Sequence, residues 1–219
     1  MLNQRYPARF EDAKGTADTV IHNDGSELGM VLRGIALTAS DFDSFSPADA
    51  DLERASALFT IHQGELCSYR LSWTMPLAVV LDNQVTEAPL TVTLVVGAPL
   101  PSNLLDRETL RLELRLPSGT LQSSGTSGWF EDELLDLARQ MGNLHAIRSC
   151  ITCAFSDYSP HGHGLFGDLA CFRDAKEAYG GVRGKFDLFR LWDLMTEFVQ
   201  ETYLCEQYSP RVPGTGYRG

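Results

Sequence analysis

The chain has 219 residues, 43% hydrophobic and 21% charged, with a formal net charge of −11. That is enough apolar material for one large domain, or a domain with a smaller appendage, without staples to hold the core. The negative balance repels phosphate backbones, so no nucleic-acid role is expected, and no run reaches the roughly 18 apolar residues of a membrane span.

The acidity is uneven. The first 149 residues carry 20 acidic and 11 basic side chains, and the last 70 carry 9 and 7. The segment MLNQRYPARFED has no apolar signal core, so a cytoplasmic protein is expected.

Residues 1–125 read as strands and turns. MVLRGIAL (30–37) and ALFTIH (57–62) are strand candidates. At 67–75, Cys67, Tyr69, Leu71, Trp73 and Met75 alternate with polar residues. LTVTLVVG (90–97) is β-branched and apolar, and Leu110, Leu112, Leu114 and Leu116 alternate with charges. NDGS, LDNQ, PLPSN and PSGT supply turns between them. The pattern predicts an N-terminal antiparallel β-sandwich or bent sheet.

Residues 126–219 read as a helical part, with a linker-like QSSGTSG near 125. Ser127 and the acidic run Glu131–Glu133 open a helix carrying Phe130, Leu134, Leu137 and Met141 on one face, stopped at Gly142. A second helix is predicted at about 172–179. A third is predicted from Phe186 to about Tyr203, striped by Phe189, Trp192, Met195 and Val199. The expected fold is thus α+β, in two parts or one continuous domain. The tail from Ser209 reads as a mobile end, as a segment packed back across the cysteine region with its arginines against acidic residues, or as one that reaches a partner.

Five cysteines are present. Cys67 lies mid-strand on the apolar side and is assigned to the core. Cys150 and Cys153 form a C-x2-C pair, a spacing that can place two thiolates on one ion. Cys171 follows after 17 residues and Cys205 after 33 more. These four are the expected ligands of a structural zinc that staples the helical part. A three-cysteine site completed by His161 or His163, iron–sulfur ligation and free buried thiols are the alternatives.

The intervening loop is rich in turn formers. Asp157, His161 and His163 either surround an open metal or substrate position, or belong to a self-satisfied Ω-loop. A Cys–His hydrolase lacks a third orienting group. Glu197 and Glu201, at i and i+4, read as a solvated helix face.

CITCAFSDYSPHGHGLFGDLACFRD followed by FVQETYLCEQYSPRVPGTGYRG resembles an uncharacterised bacterial family, mainly actinobacterial, of unknown function. FTIHQGELCSYRLSWTMPLAV resembles it more loosely. The resemblance implies that the four C-terminal cysteines recur as a set, and it implies no activity. With no P-loop, G-x-S-x-G or H-E-x-x-H, the expected function is a non-enzymatic, zinc-stabilised protein-binding module. It would be immunity-like and dock a basic partner such as a toxin or nuclease. The alternative is a metal- or thiol-dependent enzyme using the loop 156–168.

Overall fold

A computed structural model describes residues 3–142 and 146–217. It is a mostly β structure, with 42% of residues in strands and 18% in helices.

Strands β1 (Gln4–Asp12), β2 (Gly15–Asn23), β3 (Leu28–Leu32), β4 (Ile35–Ala39) and β5 (Ser46–Pro47) come first. Helix α1 (Leu52–Leu58) and a separate hairpin of β6 (Thr60–His62) and β7 (Glu65–Cys67) follow. The long strands β8 (Tyr69–Leu81) and β9 (Gln84–Val96), then β10 (Glu108–Leu116) and β11 (Gly119–Gln122), complete the sheet. Its order is β11-β10-β9-β8-β1-β2-β3-β4-β5. Three two-residue hairpin loops, Arg33–Gly34, Gln63–Gly64 and Asp82–Asn83, have positive φ at both positions. That is the type I′ geometry whose twist matches the flanking strands.

The chain divides into two compact units. The first comprises Met1–Met75 and Pro89–Gln140, and the second Pro76–Ala88 and Met141–Gly219.

Alternation along β8 and β10 buries Leu71, Trp73, Leu110, Leu112 and Leu114 in the first unit. Helix α2 (Phe130–Met141) buries Phe130, Leu134 and Leu137. Phe42 connects helix and sheet, 4.1 Å from the Trp73 ring and 6.4 Å from Phe130. Each such side chain stabilises the fold by about 1.5–3 kcal/mol.

In the second unit, β12 (Ala146–Ile147) pairs with the outer arm of β8. A separate antiparallel sheet runs β13 (Ser156–Tyr158), β14 (Leu169–Cys171), β15 (Glu197–Val199). Short helices α3 (Lys176–Tyr179) and α4 (Lys185–Arg190) join β14 to β15. Ala170, Phe172, Tyr179, Val182 and Leu188 form the core here, with Leu191, Trp192 and Met195 against it.

The α+β expectation is corrected, because beyond α2 the described residues of the C-terminal part form short strands, turns and two short α-helices, not a helical, zinc-stapled part. The expected helix 186–203 is α4, a 3-10 turn at Trp192–Leu194, then strand. The Thr196 amide donates to the Cys171 carbonyl at 2.8 Å, and Phe198 pairs with Ala170. Sheet bonds thus replace helical ones, while Trp192 and Met195 of the apolar stripe still pack against the core. The helix expected at 172–179 shrinks to α3. Among the described residues, no group of three or more His, Cys, Asp or Glu side chains is arranged to hold a metal ion.

Candidate functional site

Two clusters of titratable groups stand out, one in each unit. The second unit gathers the cysteines. Cys150 opens a 3-10 turn ending at Thr152, Cys153 follows it, and Cys171 ends β14. All three are buried, Cys205 is half-buried, and all four thiols are free. Cys150 donates its amide to the Tyr203 carbonyl at 2.7 Å, which ties the turn to the segment bearing Cys205.

Burial pushes the Cys150 thiol up, and negative charge on Cys153, Cys171 or Cys205 pushes it further. Cys171 is raised by burial too, against the opposing influence of Arg173. The four sulfurs are therefore within electrostatic reach. That is a looser condition than a tetrahedral shell with sulfur about 2.3 Å from zinc. The shifts keep Cys150 and Cys171 protonated at neutral pH, the opposite of what a nucleophilic thiolate needs. Cys67 sits apart, in the first unit at the end of β7, with its thiol 3.6 Å from the Thr60 carbonyl.

Burial also sets thiol reactivity. At pH 7.5 a disulfide reagent should react quickly with about one thiol per chain, Cys205, and with the others only on unfolding. Three or more fast thiols would mean an open cluster. Stoichiometric zinc released with those thiols, read by elemental analysis, would make them a ligand set.

The loop after β13 serves largely its own backbone. The His161 amide donates to the Ser159 hydroxyl at 3.2 Å, and the His161 ring lies 4.5 Å from Phe189. The His163 ring stacks on Tyr158 at 3.9 Å. Asp157, fully buried, turns to other partners: the Tyr179 hydroxyl at 2.5 Å and the Tyr217 amide at 2.8 Å. It anchors the tail. Glu197 lies on β15 and pairs with Arg173 at 2.5 Å, whereas Glu201 is fully buried instead of solvated.

The first unit holds a carboxylate cluster that motif reading missed. In SDFDSFS (40–46), Phe42 and Phe45 are completely buried, which leaves Asp41 and Asp43 toward the surface. Ser44 braces the turn by accepting the Asp41 amide at 3.1 Å. The Leu66 amide donates to the Phe45 carbonyl at 2.8 Å, bringing Glu65 alongside. Glu108 opens β10.

These groups repel one another. Burial raises Asp43, and burial with Asp43 raises Glu65. Glu108 is exposed as a residue, yet lost hydration at its carboxyl, with Asp43 and Asp41, pushes it up to about 7. Among the described residues, neither Asp43, Glu65 nor Glu108 forms a salt bridge with Lys, Arg or His. A polar cleft of about 290 Å³, lined by Glu27, Glu65, Thr38, Ser40, Ser44 and Ser46 among others, adjoins the cluster. A phenylalanine pair at i, i+3, with Asp41 before it and Asp43 inside it, was the available sequence signal.

No helix among the described residues is long and apolar enough to cross a membrane. No curated protein and no solved structure matches the chain. A family model does match, over residues 4–156, which spans the large sheet, α2 and the C-x2-C turn but stops before most of the Gly–His loop. The chain belongs to that family, a family of unknown function (DUF6304).

Proposed function

We propose that this protein is a non-enzymatic protein-binding module that docks a basic partner on the carboxylate cluster of its first unit. The observation that carries this reading is the set of mutually repelling carboxylates around Asp43, three of which form no salt bridge among the described residues. The unit as a whole has 18 acidic against 10 basic residues. An incoming Lys or Arg relieves the repulsion, and the adjoining cleft offers hydroxyl and carboxylate acceptors for it. A basic toxin or nuclease held by an immunity-like protein is the partner class that fits. The competing reading, a metal- or thiol-dependent enzyme on the loop 156–168, has less support, since burial raises the Cys150 and Cys171 thiols and both histidine rings are packed on aromatics.

The test is affinity capture from an extract of the source cell. Wild type is compared with the variant Asp41→Asn, Asp43→Asn, Glu65→Gln, Glu108→Gln. A basic protein should be enriched by wild type only and released by about 0.5 M salt, where screening is short-ranged. Its affinity for the purified wild type should rise between pH 6 and 8, as Glu108 ionises. Identical capture by both proteins would sink the reading.

A further inference from the structure

Glu201 is a fully buried carboxyl that joins three segments of the second unit. One oxygen accepts the Tyr158 hydroxyl at 2.8 Å, from β13. The other accepts the Gly167 amide at 2.8 Å, at the far end of the loop 159–168. Glu201 itself follows β15, and its carbonyl accepts the Ile151 amide at 3.0 Å. The loop has further ties at its centre: His163 stacks on Tyr158, and the Gly164 amide donates to Asp168.

The titratable groups facing this carboxyl are Tyr158 from β13, Asp168 from the loop and Cys150 from the turn 150–152, with His163 behind Tyr158. No Lys, Arg or His among the described residues forms an ion pair with it. A dry carboxylate without a cation is costly, and the neutral acid is not. Burial therefore raises Glu201 to about 7, with Asp168 adding to the rise and the Gly167 and Tyr158 bonds opposing it.

We propose that Glu201 is a proton-operated latch on the loop 159–168. While neutral, the carboxyl stays dry between Tyr158 and Gly167 and the loop is closed. On ionising it draws in water, Gly167 gives up its partner, and the loop loosens. The sign follows from linkage. The folded group holds its proton more tightly than the unfolded chain does, so closure is favoured most below the ordinary glutamate range. That advantage is lost as pH rises through about 7.

Hydrogen exchange of the full chain, read by mass spectrometry on peptides covering 159–168, tests this between pH 5.5 and 8.5. Rates are corrected for intrinsic pH dependence. Wild-type protection should fall by about tenfold or more across that range, with the first-unit strands unchanged. Glu201→Gln should hold protection flat. Should that variant not fold, Tyr158→Phe removes a donor to the charged form and moves the midpoint up, while Asp168→Asn moves it down. Wild-type protection independent of pH overturns the latch. So does a wild-type fall retained in Glu201→Gln, or midpoints unmoved in the other two.

Discussion

Arg211→Ala should destabilise the protein by about 4 kcal/mol, because each charge-assisted bond lost from a buried acceptor costs about 1.5–3 kcal/mol. The Arg211 guanidinium donates to three carbonyls, of Cys153 at 3.0 Å, of Ser156, and of Thr215 at 3.1 Å. Its amide donates to the Thr152 carbonyl at 2.9 Å, and Ala154 donates to Ser209 at 2.7 Å, so a single antiparallel bridge pins the tail beside the C-x2-C turn. The tail then delivers the Tyr217 amide to buried Asp157. Gly216 passes so close that a Cβ there would sit 2.5 Å from the Tyr179 hydroxyl and 2.8 Å from Arg211. Removing the guanidinium leaves the Cys153 and Ser156 carbonyls with longer bonds, from the Ser156 and Tyr179 hydroxyls at 3.4 Å, and loosens the strap that brings Tyr217 to Asp157. Urea denaturation measures the loss. Val212→Ala, at an exposed position outside any strand or core, trims only side-chain atoms and should stay within about 0.5 kcal/mol. A loss below about 1 kcal/mol for Arg211→Ala would show the tail to be dispensable.

Period-two alternation located the long strands because each has one face in the core, and a one-residue slip would expose every leucine of β10. The helix α2 was legible for the parallel reason that its stripe is amphipathic over three turns. The failure came at 186–203. There Phe189, Trp192, Met195 and Val199 repeat at near-helical spacing, but β14 offers a pairing edge that no local pattern reveals. The cysteines were legible as a group but not as a ligand shell, since spacing says nothing of how far apart sulfurs rest. Glu201 read as solvated because its burial depends on Tyr158 and Gly167, 43 and 34 residues earlier. The carboxylate cluster was invisible for a similar reason. Asp41, Asp43, Glu65 and Glu108 meet only once the hairpin β6–β7 and the start of β10 come beside the loop after β4.

That cluster makes a prediction with two opposite signs. Asp43→Asn with Glu108→Gln should stabilise the protein at pH 8 while weakening the basic partner by about tenfold or more. Both carboxyls are raised in the folded chain, so their protonated forms suit it best below the ordinary carboxylate range. As pH rises through about 7 the folded state must ionise Glu108 beside Asp43 and Asp41, and stability falls. Solvent reaches much of Glu108, so screening limits the gain from neutralising the pair to about 1 kcal/mol. Wild type and variant should therefore diverge at pH 8 and converge near pH 5. A cluster kept for stability alone would show the reverse, with the variant weaker at every pH. On the proposed docking reading, the repulsion carried by the free protein is relieved by the bound cation. A variant that gains stability yet binds the partner unchanged would separate the two and leave the charge without a binding role.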